Sequence, residues 1–209
     1  MKKILYLLVF IGYSSAFAGS YEDFFKAIKE NNAAVVTQLL QRGFDVNAVN
    51  PAGEHGLLLA FREPHLKVAH ALMAWPKVVA ESRSAQDESP LMLAALHGLL
   101  ADCKTLIDLG ADVNKPGWTP LHYAATRGHL AVITLLLDEH AYIDAASPNG
   151  TTPLMMAAHY GTASAVKLLL EGDADPTLKN SLGLTALDFA QGNNRLESAA
   201  IISAFIRVR

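Results

Sequence analysis

The chain has 209 residues, of which 51% are apolar and 18% charged, with a formal charge of −3. That is the composition of a folded domain of ordinary make-up, and its acidic balance argues against nucleic acid or an anionic membrane surface as partner. Cys103 is the single cysteine, so no internal disulfide can form and stability must come from packing.

The first element is a leader. "MKKILYLLVFIGYSSAFAGS" places two lysines before an apolar run from Ile4 to about Tyr13, followed by Ala16-Phe17-Ala18. This is the order of a secretory signal peptide, with cleavage expected between Ala18 and Gly19. The run is roughly half the ~20 residues a membrane-spanning helix needs. Loss of Lys2 and Lys3 would leave 15 basic residues against 20 acidic and a charge of −5. The expected destination is the periplasm or beyond the cell.

From Tyr21 onward the chain repeats itself. "TPLHYAA" opens at Thr119, "TPLMMAA" at Thr152 and "TALDFAQ" at Thr185, at intervals of 33 residues, while "SPLMLAA" opens at Ser89, 30 residues before Thr119. Weaker copies open at His55 and Glu22. Each opening predicts a short helix. Thr119 is a good N-cap, Pro120 fits the first helical position, and Leu121, Ala124 and Ala125 make one apolar face. Gly128 ends that helix, and Leu130, Ile133, Leu136 and Leu137 form the apolar stripe of a second. Closing segments such as "LGADVN" (109–114) then leave through a left-handed turn. One such helix pair cannot bury its own apolar face, so the pairs must stack.

Period, T-P-L-H-x-A opening and G-A-D-V-N closing together resemble the ankyrin-repeat family. The resemblance implies an all-α solenoid of about six stacked helix-turn-helix units with short hairpin fingers, and partner binding on a concave side. It divides the chain into a leader, 1–18, and one domain, 19–209, with repeats at about 21–52, 53–86, 87–116, 117–149, 150–182 and 183–209. Two departures stand out. The copy from His55 carries Pro64 and Pro76 where glycine is expected, and the repeat before Thr119 is three residues short, which predicts a clipped finger between Asn114 and Gly117.

Aligned copies act as an internal control on chemistry. His122 shares its column with Met155, Met92, Asp188 and Leu58, a set no metal ligand or general base would keep. The resemblance implies that it braces its own repeat and the next. His129 aligns with Asn32, His65, Leu99, Thr162 and Arg195 and reads as structural. Cys103 falls in a column of small and medium apolar residues, where a thiol acts as a hydrophobe. His140 and Asp173 stand where Gly43 and Gly110 end the second helix, a left-handed position. Phosphate loops, zinc-type Cys/His spacing and G-x-S-x-G are absent from the sequence. Histidines in successive repeats would stand about 10 Å apart, too far to share an ion. No cofactor and no metal is expected.

Positions that the fold does not fix should carry binding. The ends of the first helices give His97, Thr126-Arg127 and His159-Tyr160, and the residue before the fourth opening is Trp118. Glu30, Glu54, Glu63 and Glu88 mark the N-terminal half instead. Trp, Tyr and Arg are the residues most enriched in interface hot spots. The expected protein-binding set is Trp118, Arg127, Tyr160, His97, His159 and Thr126, although Trp118 could instead cover the clipped finger. The reading is a monomeric, non-catalytic periplasmic module for one protein partner, with no nucleic acid and no membrane after cleavage. Alternatives are an inhibitor or immunity protein, a secreted effector, or, as an enzyme, a groove site built on His97 and His159 with Glu88 or Glu63.

Overall fold

The computed structural model describes residues 19–208; the expected leader, 1–18, lies outside them. The chain divides into two compact units, one reaching Ser82 and the other running from Arg83.

In the first unit, helix α1 covers 19–29 and is followed by α2 (Ala33–Gln41), α3 (Gly56–Arg62) and α4 (Leu66–Met73). Phe24, Ile28, Val36, Leu58, Phe61 and Leu72 are buried to within 1% of full coverage. Phe24 meets Phe44 at 4.7 Å and the edge of Phe25 at 5.3 Å. Gly56 lets α3 approach α1, since a Cβ there would lie 2.7 Å from Ile28 Cδ1.

The second unit holds four helix pairs: α5 (Pro90–Leu96) and α6 (Leu100–Asp108), α7 (Pro120–Arg127) and α8 (Leu130–Asp138), α9 (Pro153–His159) and α10 (Ala163–Glu171), α11 (Ala186–Gly192) and α12 (Leu196–Val208). First helices pack on first helices, α5 on α7 on α9 on α11, and second helices form the parallel row α6, α8, α10 and α12. The alanines of the openings permit the close approach of the first row: Ala94, Ala95, Ala124, Ala125, Ala158 and Ala190 are fully buried. No β-strand occurs among the described residues, only an isolated bridge between Val49 and His55.

The helix ends follow the sequence signals. Pro90, Pro120 and Pro153 sit at the first turn, and Gly128 closes α7 at φ +70°. The left-handed position after each second helix is taken by Gly43, Gly110, His140 and Asp173. Pro76 occupies that column in the second copy, and its ring locks φ near −65°. The left-handed turn therefore moves one residue on, to Lys77 at φ +64°.

Each finger before an opening is closed in the same way, with one exception. The backbone N–H of Asn50, Ser84, Ser147 and Asn180 donates to the carbonyl four residues on. Their side-chain oxygens also accept from the amide four residues on, that of Glu54, Glu88, Thr151 or Leu184. The short finger has no room for that turn. Asn114 still braces the next repeat as Asn47 does in the first unit, donating to His140 O at 2.8 Å and accepting from Tyr142 N. The carbonyl of Trp118 is satisfied by Lys115 Nζ at 3.0 Å, and the same ammonium donates to Pro116 O and pairs with Asp87. The finger is clipped between Asn114 and Gly117, and a lysine replaces the missing backbone.

Candidate functional site

His122 shows how the fold disposes of the residue with the most obvious chemistry. Its Nδ1 accepts from the Thr119 N–H at 3.1 Å and meets the Thr119 hydroxyl at 2.8 Å, while Nε2 donates to Thr151 O at 2.9 Å in the following repeat. The ring is fully buried, and burial, which penalises its charged form, pushes its pKa down to about 4. It is a brace, as expected. His129 is another: Nε2 bonds Leu96 O of the preceding repeat at 3.0 Å, and its ring lies where a Cβ on Gly98 would come within 2.6 Å. Cys103 is fully buried, and burial foremost, with Asp102 beside it, raises its thiol to about 12. Buried and protonated, it packs as a small apolar side chain.

Beside these braces lies an apolar cavity of about 230 Å³, lined by Leu96, Trp118, His122, Tyr123, Thr126 and Met156. Trp118 is half-buried. Its ring stands edge-on to His122 at 5.2 Å, while its backbone is held by Lys115. The Trp118 ring thus forms a wall of the cavity. Thr126 lines the same space, its hydroxyl donating back to His122 O at 2.7 Å. Tyr123 OH donates to Glu88 at 3.4 Å. Burial and then the Glu88 charge raise the phenol to about 12 and keep it neutral.

The other expected residues lie at the helix ends. Arg127 is the last residue of α7 and exposed, His97 caps α5 and is half-buried, and Tyr160 caps α9 with 53% of its surface exposed. His159 stacks on Tyr160 at 3.7 Å with the rings 7° from parallel, and approaches Phe189 at 5.3 Å. Burial lowers the pKa of His159, and the positive charge of Arg195 adds to that. Arg195 itself donates to Tyr160 O at 3.2 Å. The structure therefore joins Trp118 with Thr126 and His159 with Tyr160. His97 and Arg127 do not line the cavity.

Leu96, Tyr123 and Met156 escaped the sequence reading. A signal existed: Tyr123, Met156 and Phe189 share one column in the first helices of the last three copies, large and half-buried in each. A larger cleft of about 740 Å³ lies in the first unit, between Tyr21, Phe25, Leu59, Arg62, Glu63 and His65 among others. There Arg62 pairs with Glu54 at 2.7 Å and holds that carboxyl below its usual range. Glu63 borders this cleft, and Glu88 in the second unit accepts from Tyr123.

Family models described as ankyrin repeats in three copies match residues 24–116 and 58–147, and one described as many copies matches 142–190. Among curated relatives, the nuclear factor NF-kappa-B p105 subunit of Gallus gallus is 31% identical over 161 residues, 74% of this chain and 16% of that protein. The neurogenic locus notch homolog protein 1 of Xenopus tropicalis is 34% identical over 119 residues, 55% of this chain and 5% of that one. The chain thus spans only a small part of the curated relatives it matches. Among solved structures, the human ASB11 ankyrin repeat domain superposes with a TM-score of 0.78 at 25% identity, covering 87% of this chain and 82% of that one. A chain from the complex of the Bd0816 predatory endopeptidase of Bdellovibrio bacteriovorus with immunity protein Bd3460 gives 0.75 at 28% identity, covering 87% and 97%. Helix pairs in register, left-handed exits and these matches lead to one conclusion: the chain belongs to the ankyrin-repeat family.

Proposed function

We propose that residues 19–209 act as one monomeric, non-catalytic protein-binding domain in the periplasm, through the face that carries Trp118, Arg127 and Tyr160. His97, His159 and Thr126 complete that face. The observation that carries the reading is the cavity beside Trp118: an aromatic-walled apolar space, open next to exposed helix ends that the stack does not use. Such a preformed pocket suits an anchoring side chain. Export rests on the leader. Among the described residues no helix is long and apolar enough to cross a membrane.

A second reading is that the partner is an enzyme which this chain occludes. It is favoured by the likeness to a chain from an endopeptidase–immunity protein complex. Both readings place the partner on the same face. A photoreactive residue at position 118 in living cells, followed by mass spectrometry, should give one dominant adduct. Trp118→Ala, Arg127→Ala and Tyr160→Ala should each weaken binding of that protein by about tenfold or more, on the order of 1.4 kcal/mol. Equal binding by all three would reject the face. Identification of the adduct as a hydrolase that the chain inhibits would select the second reading.

A further inference from the structure

The helix-end row of the second unit carries one permanent cation, Arg127. In α5, α7, α9 and α11 the last helical residue or its cap contributes His97, Arg127, His159-Tyr160 and Asn193, and no carboxylate. Arg195 adds a second permanent cation beside the His159–Tyr160 stack. The chain as a whole is acidic, so a row of this kind is a local exception. The rim on the finger side carries Glu88, already engaged by Tyr123. Between the rims lies the cavity of about 230 Å³, smaller than the ~300–1,000 Å³ of small-molecule sites and suited to one apolar side chain.

We propose that the partner contacts this face with an acidic segment bearing one apolar anchor, the anchor entering the cavity walled by Trp118, Tyr123 and Met156 and a flanking carboxylate pairing with Arg127. This inference rests on the protein-binding reading and names the chemistry of its partner. Neighbouring first helices stand about 8–10 Å apart, and an extended chain advances about 3.3 Å per residue. Roughly three residues of the segment therefore cross one repeat. The carboxylate lies within three residues of the anchor, since Arg127 adjoins Thr126 at the edge of the cavity.

The test uses the purified chain and short fluorescein-labelled peptides, read by fluorescence anisotropy. One peptide is acidic with a central leucine. The others replace leucine by alanine, the acids by their amides, or the acids by lysine, and a single-stranded DNA oligonucleotide is the fifth probe. The acidic leucine peptide should bind at least tenfold tighter than each of the other probes. Arg127→Glu should reverse the order of the acidic and lysine peptides. Arg127 is exposed, so the variant keeps the fold, and its circular dichroism checks that. The proposal is overturned if leucine and alanine peptides bind alike, if acids and amides bind alike, or if Arg127→Glu leaves the order unchanged. Tighter binding of the oligonucleotide, or no peptide binding at about 1 mM, a threshold near −4 kcal/mol, overturns it as well. An adduct at position 118 alongside a flat peptide series would keep the face and remove only this chemistry.

Discussion

His122 is held neutral because each ring nitrogen has a fixed duty: Nδ1 must accept from Thr119 and Nε2 must donate to Thr151. Its folded pKa, about 4, lies below the ordinary value of 6.5, so the unfolded chain binds the proton more readily. Stability from this group is complete above pH 6.5 and is lost as the pH falls toward 4, with a total of roughly 3 kcal/mol. The neighbouring copy suggests a control. Met155 fills the same column and offers its sulfur to Thr152 N at 3.4 Å, and Asp188 offers a carboxylate oxygen to Thr185 N at 2.7 Å. His122→Met should therefore fold, at a cost of about 1 kcal/mol for the lost bond to Thr151 O, which still accepts from the Ser147 N–H. It should also flatten the stability profile between pH 6.5 and 4, as urea denaturation at stepped pH would show. A profile as steep as the parent's would assign the titration to another group. Three occupants of the column, His122, Met155 and Asp188, share one task, acceptance from the N-cap amide by N, S or O, while Leu58 fills the position with apolar bulk alone.

At the scale of the element, the period located the deletion but not what repairs it. A repeat count shows that three residues are missing; it does not show which side chain reaches back to the stranded carbonyl. Lys115 looks like any finger lysine in the sequence, yet its side chain is 6% exposed in the fold. Lys115→Met should cost about 2–3 kcal/mol, since it removes charge-assisted bonds to two carbonyls and to Asp87. Asp87→Asn should cost far less because Asp87 is 61% exposed. Thermal denaturation of the two variants would check that order. The helix starts were legible for the opposite reason: Thr-Pro and Ser-Pro at the openings act locally, through capping and a fixed φ. Pro76 shows the limit of that logic. The proline was visible, but the displacement of the left-handed turn to Lys77 depends on how the chain resumes its path afterwards. The cavity was half legible, since Trp118 and Thr126 lie at helix ends and in the finger, while Leu96, Tyr123 and Met156 lie on first helices that read as core.

At the scale of the whole molecule, the family's repeat physics predicts how stability is distributed. Arrays of this kind need about three or more repeats to hold together, and neighbouring interfaces supply most of the cohesion. The unit beginning at Arg83 contains four helix pairs and the one reaching Ser82 contains two. Residues 83–209 expressed alone should keep helical circular dichroism and a cooperative urea transition, whereas 19–82 alone should not. A cooperative transition from the shorter piece would mean that its Phe24, Phe25 and Phe44 cluster suffices by itself. Across the array, four fingers are shut by neutral side-chain and amide groups and one by a charged amine. Acylating or carbamylating reagents, which turn amines into neutral amides or ureas, would consequently spring that single latch and leave the other four closed. Among the described fingers, the loop under Trp118 is the one whose closure depends on the charge of a lysine.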